Sequence, residues 1–251
     1  MKRFALSLVF GLGSVVAAFA QLSYAGGTYT QGFDSLSPIG TGNTWTDNTT
    51  LAGWFSNRVA YNAGDGSSNA GALYSYGAST TDNERALGSV ASGSTLTIFF
   101  GAAFTNNMDG AANEFTIQYT GEQWRNGGNT TQQKLTFEYS LDATSLSTGT
   151  WIAASSLDFT GPIATATAGA LNGNLAANQA NLNSLVSLQS SWAQGSNLWI
   201  RWTDLNDAGN DHGLAVDNFA FSSRPVPEPA SLAALGLGAM ALIRRRSNKN
   251  R

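Results

Sequence analysis

The 251-residue sequence contains no cysteine and only one histidine, His212. Without cysteine there is no disulfide, thiol nucleophile or zinc–thiolate site, so the body must be held by its core, helped by any metal it binds. One histidine without a Gly-x-Ser-x-Gly segment argues against a serine triad, and most zinc hydrolases need more than one. We therefore expect that this protein is not an enzyme. Glycoside hydrolysis is the exception that residue types leave open, because it needs only two carboxylates; the candidates are Glu114, Glu122 and Glu138, which lie near strands.

Basic residues are also scarce in the body of the chain. Residues 21–224 carry 15 acidic and six basic side chains, a net charge near −9, whereas the cations concentrate at the two ends. Such a surface repels phosphate backbones, and no basic stripe interleaved with aromatic residues is present. We expect no nucleic-acid partner.

The N-terminal segment has the pattern of a secretory signal peptide. Two basic residues open the chain, an apolar stretch follows, and Ala18 and Ala20 give the small-x-small pattern that signal peptidase cleaves. Residues 1–20 are therefore predicted to be removed, and the mature protein to begin at Gln21 outside the cytoplasm.

Period-two patterning predicts the fold of residues 21–224. Residues 134–141 alternate most cleanly, residues 114–119 and 197–203 alternate as well, and 214–221 is the last predicted strand; Gly, Asn, Asp and Ser separate these segments. We expect an all-β domain, an antiparallel β-sandwich of jelly-roll type. Residues 176–188 are compatible with a short helix or with a loop and a strand.

The composition changes abruptly after Arg224. A proline-stiffened segment is followed by residues 230–243, which carry no charge and predict a short transmembrane helix. At about 1.5 Å per residue this helix covers roughly 21 Å, less than the about 30 Å of a bilayer core. It is a marginal anchor, better suited to a temporary hold in the inner membrane. The predicted stop-transfer cluster is Arg244, Arg245 and Arg246.

This tail resembles the PEP-CTERM sorting signal. The resemblance covers residues 226–251 and places the motif at Val226, Pro227, Glu228, Pro229 and Ala230. It implies that an exosortase recognises and cleaves the tail, and that the protein passes from transient membrane anchoring to the cell envelope, surface or extracellular matrix. An ordinary C-terminal membrane anchor is the alternative. The tail fixes a destination and leaves the role of the body open.

Two aspartates suggest a calcium site in the body. In a regular strand Asp217 shares a face with Phe219 and Phe221, so it needs a partner, Arg201 for instance, or a bulge that turns it outward. The segments around Asp34 and Asp217 resemble the opening and closing strands of extracellular jelly-roll domains, MAM-like and carbohydrate-binding modules among them. That resemblance implies a structural Ca²⁺ held by these two residues. The acidic loop at 204–211 is a weaker candidate, because Asp, Asn and Gly also build ordinary hairpin loops.

One further cluster suggests glycan contact. Glu122, Trp124 and Arg125 could stack on and hydrogen-bond a sugar, although a packed strand end with a Glu122–Arg125 pair is the simpler interpretation.

We expect a structural or adhesive protein of the extracellular matrix or biofilm; the alternative is a carbohydrate-binding module for exopolysaccharide, and a polysaccharide-degrading enzyme comes third. A binding module should expose coplanar aromatic side chains, with Trp45, Trp54, Trp124 and Trp199 as the candidates.

Overall fold

Alternating apolar and polar residues build most strands of the computed structural model, in which residues 21–227 are described. The strands are β1 (Leu22–Tyr24), β2 (Thr28–Gln31), β3 (Asn43–Thr44), β4 (Trp54–Ser56), β5 (Ala60–Gly64), β6 (Ala72–Tyr76), β7 (Ala86–Val90), β8 (Ile98–Asn106), β9 (Ala112–Asn126), β10 (Lys134–Ser140), β11 (Ile152–Ala153), β12 (Phe159–Thr160), β13 (Gly169–Ala170), β14 (Gln179–Trp192), β15 (Asn197–Asp204) and β16 (Gly213–Ser223). Two short 3-10 turns occur at Ser155–Leu157 and Ala176–Asn178.

The strands form two sheets. The seven-stranded sheet has the order β1-β8-β15-β10-β11, with β4 added to β8 and β12 to β10. The nine-stranded sheet has the order β13-β9-β16-β7-β6-β5-β3, with β14 added to β9 and β2 to β16. Pairing is antiparallel except for β1 with β8 and β5 with β6. The predicted all-β sandwich is thus confirmed, with two parallel pairs that the sequence did not indicate.

Aromatic side chains from both sheets fill the space between them. Trp54 and Trp202 of the seven-stranded sheet stack with ring centroids 6.1 Å apart, and Phe219 of the nine-stranded sheet meets both edge-on. Tyr119 packs against Trp202 from β9. All four rings are at most 1% exposed. Because each aromatic residue buries a large apolar area, this core can hold the sandwich without disulfides.

The strongest sequence patterns gave the best strand predictions. The segments predicted at 134–141, 197–203 and 214–221 correspond to β10, β15 and β16, and the segment at 114–119 lies in the N-terminal half of the longer β9. The unresolved choice at 176–188 is settled as a 3-10 turn followed by β14. Within residues 21–227 no helix has the length and apolarity needed to cross a membrane. The predicted signal peptide and the predicted helix at 230–243 lie outside the described residues.

Candidate functional site: a buried carboxylate cluster

Three carboxylates meet on the outer face of the nine-stranded sheet. Glu84 lies two residues before β7, Glu122 lies on β9, and Asp217 lies on β16, which pairs with both of those strands. One ligand oxygen from each residue lies within 4.8 Å of the other two. In the described part of the chain, no other group of three acidic or histidine side chains converges in this way.

A β-bulge places Asp217 on this outer face. Asp217 pairs with Thr120 of β9, but the next registered pair is Ala220 with Gln118, so two residues of β16 oppose one of β9. Asn218 has a φ of 49° there, a conformation that asparagine tolerates better than most residues. Of the two alternatives that the sequence left open, the bulge is the correct one, and Asp217 does not share a face with Phe219 and Phe221. The bulge sends both rings into the core and leaves Asp217 on the opposite face.

The cluster is buried and its oxygen atoms are incompletely paired. Glu122 and Asp217 are each 2% exposed. Trp124 Nε1 donates to Glu122 Oε2 at 2.8 Å, Asn218 Nδ2 donates to Asp217 Oδ2 at 2.7 Å, and Asn174 Nδ2 donates to Glu84. Asp217 Oδ1 and Asn174 Oδ1 are both buried without a hydrogen-bond partner among the described residues. Such orphaned acceptors are rare and call for an explanation.

The electrostatics of the cluster are unfavourable for three bare carboxylates. Burial raises the pKa of Glu122 to about 7, a shift that the Trp124 hydrogen bond opposes and the nearby Glu84 increases. Burial also raises the pKa of Asp217 well above its ordinary value, and Glu122 and Glu84 add to that shift. Like charges held this close cannot all remain ionised without a counter-charge.

Of the two aspartates predicted to bind calcium, only Asp217 belongs to the cluster. Asp34 is exposed, and its Oδ1 accepts a hydrogen bond from the backbone N–H of Arg85 at 3.0 Å. It thereby fixes the chain immediately after Glu84 and acts on the cluster through the backbone. The sequence did not connect Glu84 and Glu122 with Asp217, because they come from distant strands and share no motif spacing.

Of the two interpretations of Glu122, Trp124 and Arg125, the structure agrees with packing, although without the expected Glu122–Arg125 pair. All three side chains are buried, so their positions do not support glycan contact at the surface. Trp124 stacks on Tyr76, with ring centroids 5.7 Å apart. Glu122 and Arg125 do not form the expected ion pair, since Arg125 donates to the carbonyl oxygens of Gly66 and Ser67. The sugar platform suggested by these residues is instead a packed part of the outer face.

Arg201 also has a different partner from the one expected. It lies on the seven-stranded sheet, where its Nε donates to Glu138 at 2.8 Å, and it does not reach Asp217. The acidic loop carries the chain from β15 of the seven-stranded sheet to β16 of the nine-stranded sheet, so it is not the ordinary hairpin loop that the sequence suggested. Within it, Asp211 Oδ1 accepts from the N–H of Asp207 at 2.9 Å. Its carboxylates do not converge as those of Glu84, Glu122 and Asp217 do.

The cluster has the donor chemistry of a site for a hard cation. Calcium takes six to eight oxygen ligands at about 2.3–2.6 Å, mainly from carboxylates, amide or backbone carbonyls and water. Glu84, Glu122 and Asp217 supply carboxylates, and the buried Oδ1 of Asp217 has no hydrogen-bond partner among the described residues. The residues present therefore fit a divalent cation better than a proton-transfer site, because a cation would satisfy the orphaned acceptors and the like charges together.

Comparison with solved structures finds several distant likenesses. The chain is similar to a xylan-binding domain of Paenibacillus barcinonensis Xyn10C, with 10% identity, 81% of this chain and 98% of that one covered, and a TM-score of 0.37. It is similar to the K1 cleaved adhesin domain of Lys-gingipain from Porphyromonas gingivalis W83, with 16% identity, coverages of 79% and 99%, and a TM-score of 0.38. It is also similar to a Stig cyclase of Fischerella sp. TAU, with 11% identity, coverages of 80% and 100%, and a TM-score of 0.40. At this level the likenesses identify neither a ligand nor an activity.

Comparison with the sequences of characterised proteins finds no match. The C-terminal tail does match a family model, and this match confirms the resemblance deduced from the sequence. Residues 225–247 match the PEP-CTERM protein-sorting motif, so the chain carries the signal of an exported protein that is processed by an exosortase.

Proposed function

We propose that this protein is a structural or adhesive component of the extracellular matrix, sorted to the cell envelope through its tail, with a body stabilised by a divalent cation. The observation that carries the proposal is the placement of the tryptophans. Six of the seven are at most 3% exposed, and Trp151 is only half-buried, against Arg201. Aromatic residues that fill cores leave no flat platform for sugar rings, which favours a rigid scaffold over a binding module.

The cation forms part of the same proposal. Glu84, Glu122 and Asp217 belong to three adjoining parts of one sheet, so a cation bound to all of them would hold these segments together. Calcium is the first choice, because an exported protein meets it at concentrations that suit sites made of carboxylate and amide oxygens. The burial of Glu122 and Asp217 also favours a non-catalytic role, since the two carboxylates of a glycosidase flank a substrate that must reach them.

Thermal unfolding of the purified full chain tests the cation. Calcium at about 100 times its dissociation constant should stabilise the fold by about 2.7 kcal/mol, which corresponds to a Tm increase of about 5–10 °C for a domain of this size. Asp217→Asn should abolish this response, and Asp109→Asn, at an exposed acidic position, should retain it. A wild-type Tm that neither calcium nor magnesium changes would contradict the cation site.

Cell fractionation tests the sorting. A chain tagged in the exposed loop near Ala78 should reach the cell surface or matrix, whereas Glu228→Ala should accumulate in the inner membrane with its tail attached. Glu114→Ala, an exposed position in β9, is the matched control and should sort normally. Recovery of the tagged chain from the cytosol with both termini intact would contradict export and sorting together.

A second candidate function is binding of exopolysaccharide, and one cavity favours it. This cavity, of about 180 Å³, is lined by Phe55, Trp199, Asp47 and Asn57 and by the loop around Leu146. Trp199 Nε1 is buried there without a hydrogen-bond partner among the described residues, and a sugar hydroxyl would provide an acceptor. A glycan-array screen tests this candidate; signals that Trp199→Phe removes would support it, and a clean negative would exclude the glycans on the array.

A further inference from the structure

The edge of the nine-stranded sheet next to β9 is formed by an unusually long strand. Strand β14 (Gln179–Trp192) has 14 residues and pairs only with β9. Its register is continuous from Gln179 to Ser187 and shifts before Trp192. The strands at the other ends of the two sheet paths, β1, β3, β11 and β13, have two or three residues each. Among the described strands, β14 therefore offers by far the longest unpaired edge.

From Gln179 to Ser187, where its register is continuous, this edge lacks the usual protection against pairing. Natural edge strands are blunted by charged side chains, by proline, by bulges or by being very short. Strand β14 contains no Asp, Glu, Lys, Arg or Pro in its 14 residues. Most of its side chains are exposed, and no backbone hydrogen bond in residues 21–227 joins it to a strand other than β9. The N–H of Gln189 donates to the Tyr139 hydroxyl, but the outward N–H and C=O groups of the regular part, Gln179 to Ser187, are available to another strand.

Charge argues that the other strand belongs to a second copy of this chain. The body has a net charge near −9, so two copies repel each other wherever their acidic surfaces meet. A neutral strand lets two such bodies approach with little repulsion. An antiparallel pair of identical strands about a two-fold axis is also self-complementary, because each copy supplies the same donors and acceptors to the other.

We propose that β14 pairs antiparallel with β14 of a second copy and joins the two nine-stranded sheets into one. The outward-facing side chains suit this arrangement. Asn181 and Asn183 can form amide hydrogen bonds across the new pair, and Leu185, which is 58% exposed, becomes covered by its neighbours across the junction. Val186, on the opposite face, is already buried in the core, so the pairing leaves the sandwich itself unchanged.

Single-cysteine cross-linking of the full exported chain tests the pairing, because the natural sequence contains no cysteine. Cysteine is placed in turn at exposed β14 positions, namely Ala180, Asn181, Asn183, Leu185 and Ser187, and at Ala78 as an exposed control. Around a two-fold axis, a residue at the centre faces its own copy. A residue two positions away lies about 13 Å from its copy, beyond the about 7 Å Cα separation that a disulfide spans.

We expect one β14 cysteine variant to give a yield of disulfide-linked dimer at least tenfold above that of Ala78→Cys. Alternatively, this dimer should form when two variants whose positions flank the centre are mixed. Asn183→Lys should shift sedimentation of the full chain from dimer to monomer and should keep the calcium-induced rise in Tm, whereas Ser94→Lys, at an exposed loop position, should leave the dimer intact. The proposal is overturned if no position or mixture exceeds the control, if the product has the mass of a different partner, or if the wild type sediments as a monomer. None of these outcomes bears on the cation site, which is measured by Tm.

Discussion

The outer faces of the two sheets each hold a charged group of residues, and the two groups are built in opposite ways. On the seven-stranded sheet, Arg201 forms a 2.8 Å ion pair with Glu138, and its guanidinium lies 4.4 Å from the Phe99 ring centroid and 4.0 Å from that of Trp151. On the nine-stranded sheet, the cluster of Glu84, Glu122 and Asp217 has one sign only.

The chain itself neutralises the Glu138 carboxylate through Arg201, whereas the carboxylate cluster depends on protons or cations from its surroundings. Removing a charge from water is costly unless an opposite charge comes with it, and Arg201 supplies that charge to Glu138. Asp217 keeps a buried oxygen without a partner, and no basic residue forms an ion pair with the cluster in the described part of the chain. The stability of the nine-stranded face should therefore depend on cations and pH, and that of the Arg201 face should not.

Stability against pH should show the largest difference between the two faces. In the unfolded chain the carboxyls ionise near pH 4, but in the folded chain Glu122 has a pKa of about 7 and that of Asp217 is also raised. The folded state therefore binds more protons, and in chelator its stability should fall as the pH rises from about 4 to 8, by on the order of 3 kcal/mol or more. Urea unfolding at pH 5 and pH 8 measures this difference.

Saturating calcium should flatten that pH dependence, because the cation binds the ionised carboxylates. Burial also raises the pKa of Asp204 to about 7, so this residue adds to the slope with or without the cation. The comparison of wild type with Asp217→Asn isolates the cluster, and the variant should lose less stability at pH 8. Equal slopes in the two proteins would show that the cluster is not electrostatically strained.

The fold could be predicted further than the site because its signals are local. The alternation that gives β10 and β15 lies within single segments, and the tail motif is a run of neighbouring residues. The face of Asp217 stayed open between a partnered core carboxylate and a bulge, because only the pairing with β9 reveals that the bulge is there. Asn218 was the available hint, since asparagine tolerates positive φ, but asparagine is common throughout this sequence.

The rest of the site could not be predicted from the sequence, because it is built by long-range strand pairing. Glu84, Glu122 and Asp217 meet only because β16 lies between β7 and β9, and sheet order is not encoded in any one segment. The same reason explains the misassigned partner of Arg201. Neighbouring strand β10 supplies Glu138 directly opposite Arg201, and this register places the two charges together.

Removal of Arg201 should have the next largest effect. Arg201→Gln leaves Glu138 partly buried without its partner and removes the cation from between Phe99 and Trp151, so we expect a loss of about 2 kcal/mol. The loss should be the same in calcium and in chelator, which sets this face apart from the carboxylate cluster. Urea unfolding of Arg201→Gln, Glu138→Gln and the double variant measures the coupling. A loss that depends on calcium would remove the distinction between the two faces.

The smallest effect concerns the hydrogen bond that holds Glu122. Trp124→Phe removes the N–H that donates to Glu122 Oε2, and Trp192→Phe removes a similar donor to the carbonyl of Ser196. Both variants lose comparable packing, so their difference reports the effect of the carboxylate. With calcium at pH 8, where Glu122 is ionised, Trp124→Phe should cost about 1 kcal/mol more than Trp192→Phe. In chelator at pH 5 Glu122 is protonated and the excess should vanish; an excess that persists would show that Trp124 acts through packing alone.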